Sequence, residues 1–267
     1  MRKLREETVI AFAAGIWYKR VAGGAMTPTD EPRAMSEPGR AVNVFLDPKE
    51  AFTDIAARPR PWAPLAIVIA MAVVFLACFS QRVGWERYLR QKAETTPQLQ
   101  ELPAEQRERA IEMQLKFVPY AGYVGAVVGF AGMILIVAAA VLPMVRLMGG
   151  TVTFKQMFSI TAYAFLPAAL ERLAALGVMF LKSPDDFDLE NPTVLNLGAL
   201  LDPKASAKWV ISLASSADVF AIWTTLLIAV GITAAAKRFS FGQALAAVIV
   251  PWLVWIVLKV GWAAIRG

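Results

Sequence analysis

Three stretches of this chain run without a charged residue over lengths that a lipid bilayer commonly demands. They cover 29 residues from Phe117 to Val145, 21 from Pro61 to Gln81 and 20 from Phe239 to Leu258. A helix rises about 1.5 Å per residue and the hydrocarbon layer is about 30 Å thick, so about 20 apolar residues cross it. The hydrophobic share is 57%, against roughly 45–50% in an average soluble domain. The expected fold is therefore all-α. It is a polytopic membrane protein with a bundle of five transmembrane helices, preceded by a short N-terminal interfacial helix.

The chain has no histidine. That excludes Ser-His and Cys-His nucleophiles, His-ligated zinc and HExxH chemistry. Cys78 is the single cysteine and falls inside an apolar run. It reads as a small buried hydrophobe, with no disulfide or CxxC pair available to it. No catalytic residue, metal site or cofactor is expected. The net charge of +6 fits basic residues at the cytoplasmic ends of helices and near anionic lipid. Basic and aromatic residues do not interleave as they do in nucleic-acid binders, so no nucleic-acid partner is expected.

Along the chain, residues 1–44 read as a disordered or variable segment, rich in Pro, Gly, Ser and charge between Gly23 and Arg40. The apolar run Thr8–Tyr18 is too short to span and is a poor signal peptide, because Glu6 and Glu7 spoil its basic flank. Met26 and Met35 stand beside Met1 as possible starts. Residues 45–62 read as an amphipathic helix on the membrane surface. Asp47 suits its N-cap and Pro48 its first turn, Phe52 faces one side with Ile55, and Trp62 suits the headgroup layer.

Five spans are expected at about 63–79, 118–145, 154–181, 207–236 and 239–264. Polar excursions at 81–116 and 182–206 separate the first pair and the third pair. Gly122, Gly125, Gly129 and Gly132 recur at spacings of three and four. They form one small-residue face for packing inside the bundle or, alternatively, for a homodimer seam. Short basic connections near Arg146–Lys155 and Lys237-Arg238, against the acidic 182–206 loop, place the N-terminus in the cytoplasm and the C-terminus outside. The seven Lys/Arg of 81–116 pull mildly the other way.

Glu171, Arg172 and Asp218 fall within the expected spans. Each costs roughly 2.5–3.5 kcal/mol at mid-membrane on insertion scales. With the third and fourth spans antiparallel, the rise per residue puts Arg172 and Asp218 at similar depth, so they are expected to pair. Ser215, Asp218 and Thr225 share one helical face, as do Tyr163, Pro167 and Glu171. The cluster is either a structural ion pair or a polar cavity for a solute, proton or lipid headgroup.

Several segments together resemble a known family. Phe45-Leu46-Asp47-Pro48-Lys49-Glu50-Ala51-Phe52 followed by Arg58-Pro59-Arg60-Pro61-Trp62-Ala63-Pro64-Leu65 is similar to the start of the Yip1-domain family in its bacterial branch. Gly149-Gly150, Phe154-Lys155-Gln156 and Tyr163-Ala164-Phe165-Leu166-Pro167 resemble its approach to the third helix. Asn191-Pro192, Asn196-Leu197-Gly198, Asp218-Val219-Phe220-Ala221-Ile222-Trp223 and Gly231 resemble its loop and fourth helix. The resemblance covers about 45–265. It implies a five-span bundle with a cytosolic N-terminus, no cofactor and no catalysis, in the bacterial cytoplasmic (inner) membrane. Eukaryotic members are linked to vesicle traffic and small-GTPase binding. Their Asp-Leu-Tyr-Gly-Pro box is missing here, so that partnership does not carry over.

The leading expectation is a non-enzymatic membrane scaffold or membrane-organising protein. Its partners would be the lipid bilayer and other membrane proteins or a second copy. A small-solute permease or channel with a polar site between the third and fourth spans is the alternative, although no internal repeat supports it. An intramembrane enzyme would need Glu171 and Asp218 to act as a carboxylate pair, which Arg172 opposes by keeping both ionised.

Overall fold

Ser36 opens the described architecture by accepting a hydrogen bond from the Gly39 amide at 3.2 Å, which caps α1, Glu37–Leu46. The computed structural model describes residues 34–266 other than 190, 194, 203, 204 and 237. The Thr8–Tyr18 run, Met26 and Lys237 lie outside the described residues. Helix α1 corrects the expectation that everything before residue 45 lacks structure. An N-cap serine, a proline in the first turn and an early glutamate suffice to start a helix here.

Asp47 then caps α2, Pro48–Ala57, through the Glu50 amide at 3.1 Å. This helix is amphipathic, but its apolar face does not lie against lipid. Ala51, Phe52 and Ile55 are fully buried in protein, because α2 packs against the helices Phe154–Ala164 and Val219–Ala235. Trp62, at the first position of α3, stays largely exposed.

Helix α3, Trp62–Arg82, crosses the length of a bilayer. Helix α4, Trp85–Thr95, and α5, Ala104–Val124, form a polar hairpin. Helix α5 does not end at the polar excursion. It runs through a single π-turn, Gly125–Gly129, into α6, Phe130–Leu147. The rod is 44 residues long, or about 66 Å, twice the hydrocarbon thickness. The expected division at residue 117 fails because no cap, glycine pair or helix-stopping residue separates Lys116 from Val118.

The expected third span is two helices, α7, Phe154–Ala164, and α8, Leu166–Leu181, joined at Phe165 just before Pro167. Thr153 and Gln156 form a capping box at the start of α7. The expected fourth span is also divided, into α9, Lys208–Ala214, and α10, Val219–Ala235. Here the sequence supplies the reason. Ser215 and Ser216 turn their hydroxyls back onto the Ile211 and Ser212 carbonyls, and Asp218 starts a new helix. The preceding loop is stitched onto that break. The Leu197 amide donates to the Ala217 carbonyl at 3.3 Å and the Val219 amide to the Leu195 carbonyl at 3.2 Å. Helix α11, Phe241–Arg266, closes the chain with Pro251 inside it.

Four of these helical stretches are long and apolar enough to cross a membrane: α3, the α5–α6 rod, α7–α8 and α11. Helix α10 is apolar but only 17 residues long. Residues 36–267 form one unit. In it, α3 lies along α8, α6 packs on α7, and α10 sits against α2, α7 and α11. Gly231 allows α10 to approach α7 and α2 closely. A Cβ there would collide with the Ile160 side chain and come within 3.0 Å of Phe52 Cδ1.

Candidate functional site

Two polar sites emerge from this packing, and they divide the residues expected to form one cluster. The first ties the N-terminal helices to the bundle. Arg40 on α1 is 2% exposed. Its Nε donates to Asp54 Oδ2 on α2 at 2.6 Å, and its Nη1 donates to Glu37 Oε1 at 3.1 Å. Arg58 donates to the other Asp54 oxygen. The Tyr163 hydroxyl, fully buried on α7, donates to Glu37 Oε2. Burial opposes the charge on Arg40. The bonds with Asp54 and Tyr163 and the attraction of both carboxylates outweigh it, so its pKa stands above the ordinary arginine value. Gln156 adds a further tie by donating to the Ala56 carbonyl at 2.9 Å. Tyr163 is thus separated from the intramembrane charges it was expected to join. The break at Phe165 ends the helical register that would have aligned it with Glu171.

The second site is a cavity of about 480 Å³ bounded by α6, α8, α10 and α11. Glu171, Arg172, Asp218 and Thr225 all line it. Ser215 does not, because it belongs to the break between α9 and α10, where it bonds the Ile211 carbonyl at 2.8 Å. Its expected common face with Asp218 and Thr225 does not exist, since the three residues do not share one helix.

Asp218 is also not mid-helix. It is the N-cap of α10, and its Oδ1 accepts from the Ala221 amide at 2.9 Å. An acid at a helix N-terminus is favoured by the exposed amides and the helix dipole, which lowers its cost. The expected ion pair between Arg172 and Asp218 is absent among the described residues. Instead the Arg172 guanidinium lies 5.5 Å from the ring centre of Phe75 and 5.9 Å from that of Phe130. Two aromatic faces hold this cation where a carboxylate was expected. Glu171 lines the same cavity as Arg172 and Asp218.

The aromatic walls of the cavity come from Phe130, Phe165, Phe220, Trp252 and Trp255. These were not legible as site residues, because only packing brings α6 and α11 to the charged helix. Thr225 spends its hydroxyl on the Ala221 carbonyl at 2.9 Å.

The glycines also separate. A Cβ on Gly122 would come within 2.9 Å of Trp85 Cη2, so this glycine seats the indole of α4 against α5. Gly125, Gly129 and Gly132 have nothing within 4 Å of a Cβ position. They are not used for packing inside the bundle.

Helices of this length, with exposed apolar side chains along α6 and α11 such as Ile136, Val254 and Val257, define a multi-pass helical membrane protein. The model of the Yip1 domain matches residues 42–263. The chain therefore belongs to the Yip1-domain family. It is similar to membrane protein YknW of Bacillus subtilis, with 29% identity over 189 residues, which cover 71% of this chain and 75% of that protein. No solved structure matches it.

Proposed function

We propose that this protein is a non-enzymatic membrane scaffold, a Yip1-domain bundle that organises components of its membrane without conducting solute. One observation carries this reading. The cavity ends on a dry core. Val141, Ile228 and Val248 line its wall and also belong to the main buried cluster, which continues through Ile232, Phe52 and Tyr163. A pathway would have to run through that packed layer. Helices α1 and α2 cover the same end of the bundle, locked by Arg40, Asp54 and Glu37.

In this reading α10 is the fourth of five spans, brought to spanning length by the α9 segment that precedes it. In the same reading the N-terminus is cytoplasmic and the C-terminus outside, in a bacterial inner membrane, and the short basic connections support that orientation. The α2 helix then sits at the cytoplasmic interface with its polar side toward the headgroups. The carboxylates of the cavity are not an acid–base pair. Asp218 is committed as a cap, and no hydrogen bond joins it to Glu171 among the described residues.

A permease is the second reading, and the charges in the cavity are what favour it. Reconstitution into liposomes separates the two. The scaffold predicts no flux of ions or small solutes above empty vesicles. It also predicts discrete membrane-protein adducts when a photo-cross-linking residue replaces Leu135 or Val257 in native membranes. Solute flux that Asp218→Ala abolishes would overturn it.

A further inference from the structure

The charged groups of the cavity are under-used. Glu171 accepts no hydrogen bond and makes no ion pair with any described residue, although it lies in a wall built mostly from apolar side chains. Arg172 rests only on ring faces, which leaves the N–H donors of its guanidinium without acceptors among the described residues. Asp218 uses one oxygen as a cap. Charges in such surroundings cost several kcal/mol unless something pairs with them. They do not pair with one another. A ligand carrying both a cation and an anion would satisfy both signs at once.

The remaining features say where such a ligand comes from. Met133, Ile136 and Trp255 line the cavity and are 46%, 66% and 57% exposed on the apolar flank of the bundle. The mouth therefore opens on an apolar surface of helices long enough to cross a membrane. The far wall is closed by the core residues Val141, Ile228 and Val248. The volume of about 480 Å³ is in the range of pockets that take drug-sized molecules, about 300–1,000 Å³. It is enough for a headgroup, glycerol and the first methylenes. An ammonium gives the two acidic side chains a partner, whereas a net negative headgroup offers them none and brings repulsion.

We propose that this cavity binds a zwitterionic, amine-bearing phospholipid of the phosphatidylethanolamine class. The ammonium lies at Glu171 and Asp218, the phosphate at Arg172, and the acyl chains run out past Met133 and Trp255. This goes beyond the scaffold reading and does not depend on it. The cavity can hold lipid whether or not the protein organises partners, and the flux and cross-linking outcomes are unaffected by which lipid it holds.

The test is native mass spectrometry of the full chain in detergent, titrated with dioleoyl-phosphatidylethanolamine or dioleoyl-phosphatidylglycerol. The ethanolamine lipid is expected to bind about tenfold more tightly, equivalent to about 1.4 kcal/mol. Glu171→Gln removes most of that preference, Glu171→Asp keeps most of it, and Arg172→Gln weakens both lipids. Glu105→Gln, on α5 outside the cavity, changes neither. Soluble glycerophosphoethanolamine at millimolar concentration is expected not to displace the lipid. Displacement would make the occupant a free headgroup and overturn the assignment. Equal binding of the two lipids by the unaltered protein overturns it as well, and needs no variant to fold. So does a folded Glu171→Gln protein that keeps the full preference.

Discussion

Replacing Arg40 with alanine removes the guanidinium that holds α1, α2 and α7 together. Arg40 is 2% exposed and its partner Asp54 is 10% exposed, so both charges are nearly dry. Removing one member of a buried pair costs about 3–5 kcal/mol when the other is left alone. Asp54 is not left alone, because Arg58 still reaches it. Glu37 is one-third exposed and keeps the Tyr163 hydroxyl. The expected loss is therefore smaller, about 2–3 kcal/mol. It should fall on local opening of residues 37–57, because the long apolar helices do not rely on this network. Hydrogen–deuterium exchange in detergent is the assay. Amides of α1 and α2 should exchange about 30- to 150-fold faster, while α6 and α11 stay unchanged. The double variant Arg40→Leu with Asp54→Leu should recover much of the loss, since an apolar pair often replaces a buried ion pair at little cost. Unchanged protection of 37–57 in Arg40→Ala would falsify the claim that this network fastens the N-terminal helices.

Gly231→Ala should destabilise the protein by about 1–3 kcal/mol through overpacking against Ile160 and Phe52. Gly129→Ala, with open space at its Cβ, should leave the detergent melting temperature unchanged or raise it. Arg82 donates to the Met179, Phe180 and Lys182 carbonyls at 2.8, 3.1 and 3.3 Å and so closes the end of α8. Arg82→Ala should cost about 1–3 kcal/mol, with faster exchange confined to the α3–α8 end. The hydrogen bonds and charge of Arg90 hold the Glu108 carboxyl below its ordinary pKa. A lowered acid pKa stabilises the fold above the unfolded-state value, and the contribution disappears as pH falls through the folded-state value. Exchange in the α4–α5 hairpin should therefore accelerate in mild acid below the ordinary glutamate range, and Glu108→Gln should remove that pH dependence.

Much of the fold was legible because the bilayer imposes a length. The expected spans 63–79 and 239–264 overlap α3 and α11 with ends a few residues away. The caps were legible for a similar reason, since Asp47 needs only its own neighbours to bond the Glu50 amide. Sites were harder. The Arg172–Asp218 pair was argued from depth along two straight helices. Depth says nothing about azimuth, and the fourth stretch is broken at 215–218. Ser215, Ser216 and Asp218 cause that break by bonding the backbone themselves. Of the glycine face, Gly122 meets a side chain of the bundle, while Gly125, Gly129 and Gly132 have open space at their Cβ positions.

Uncharged length and local capping chemistry were enough to establish a helical membrane protein and where most of its helices lie. Both act between residues near in the chain, where the 1.5 Å rise and the helix period hold. Which charges meet, what surrounds them and which faces stay open were settled only when α6, α8, α10 and α11 packed. Arg172 could find ring faces or a carboxylate, and its own sequence neighbours are the same in either case. Contacts between helices depend on rotations and breaks that shift side chains by ångströms, and no spacing rule along one helix carries that information.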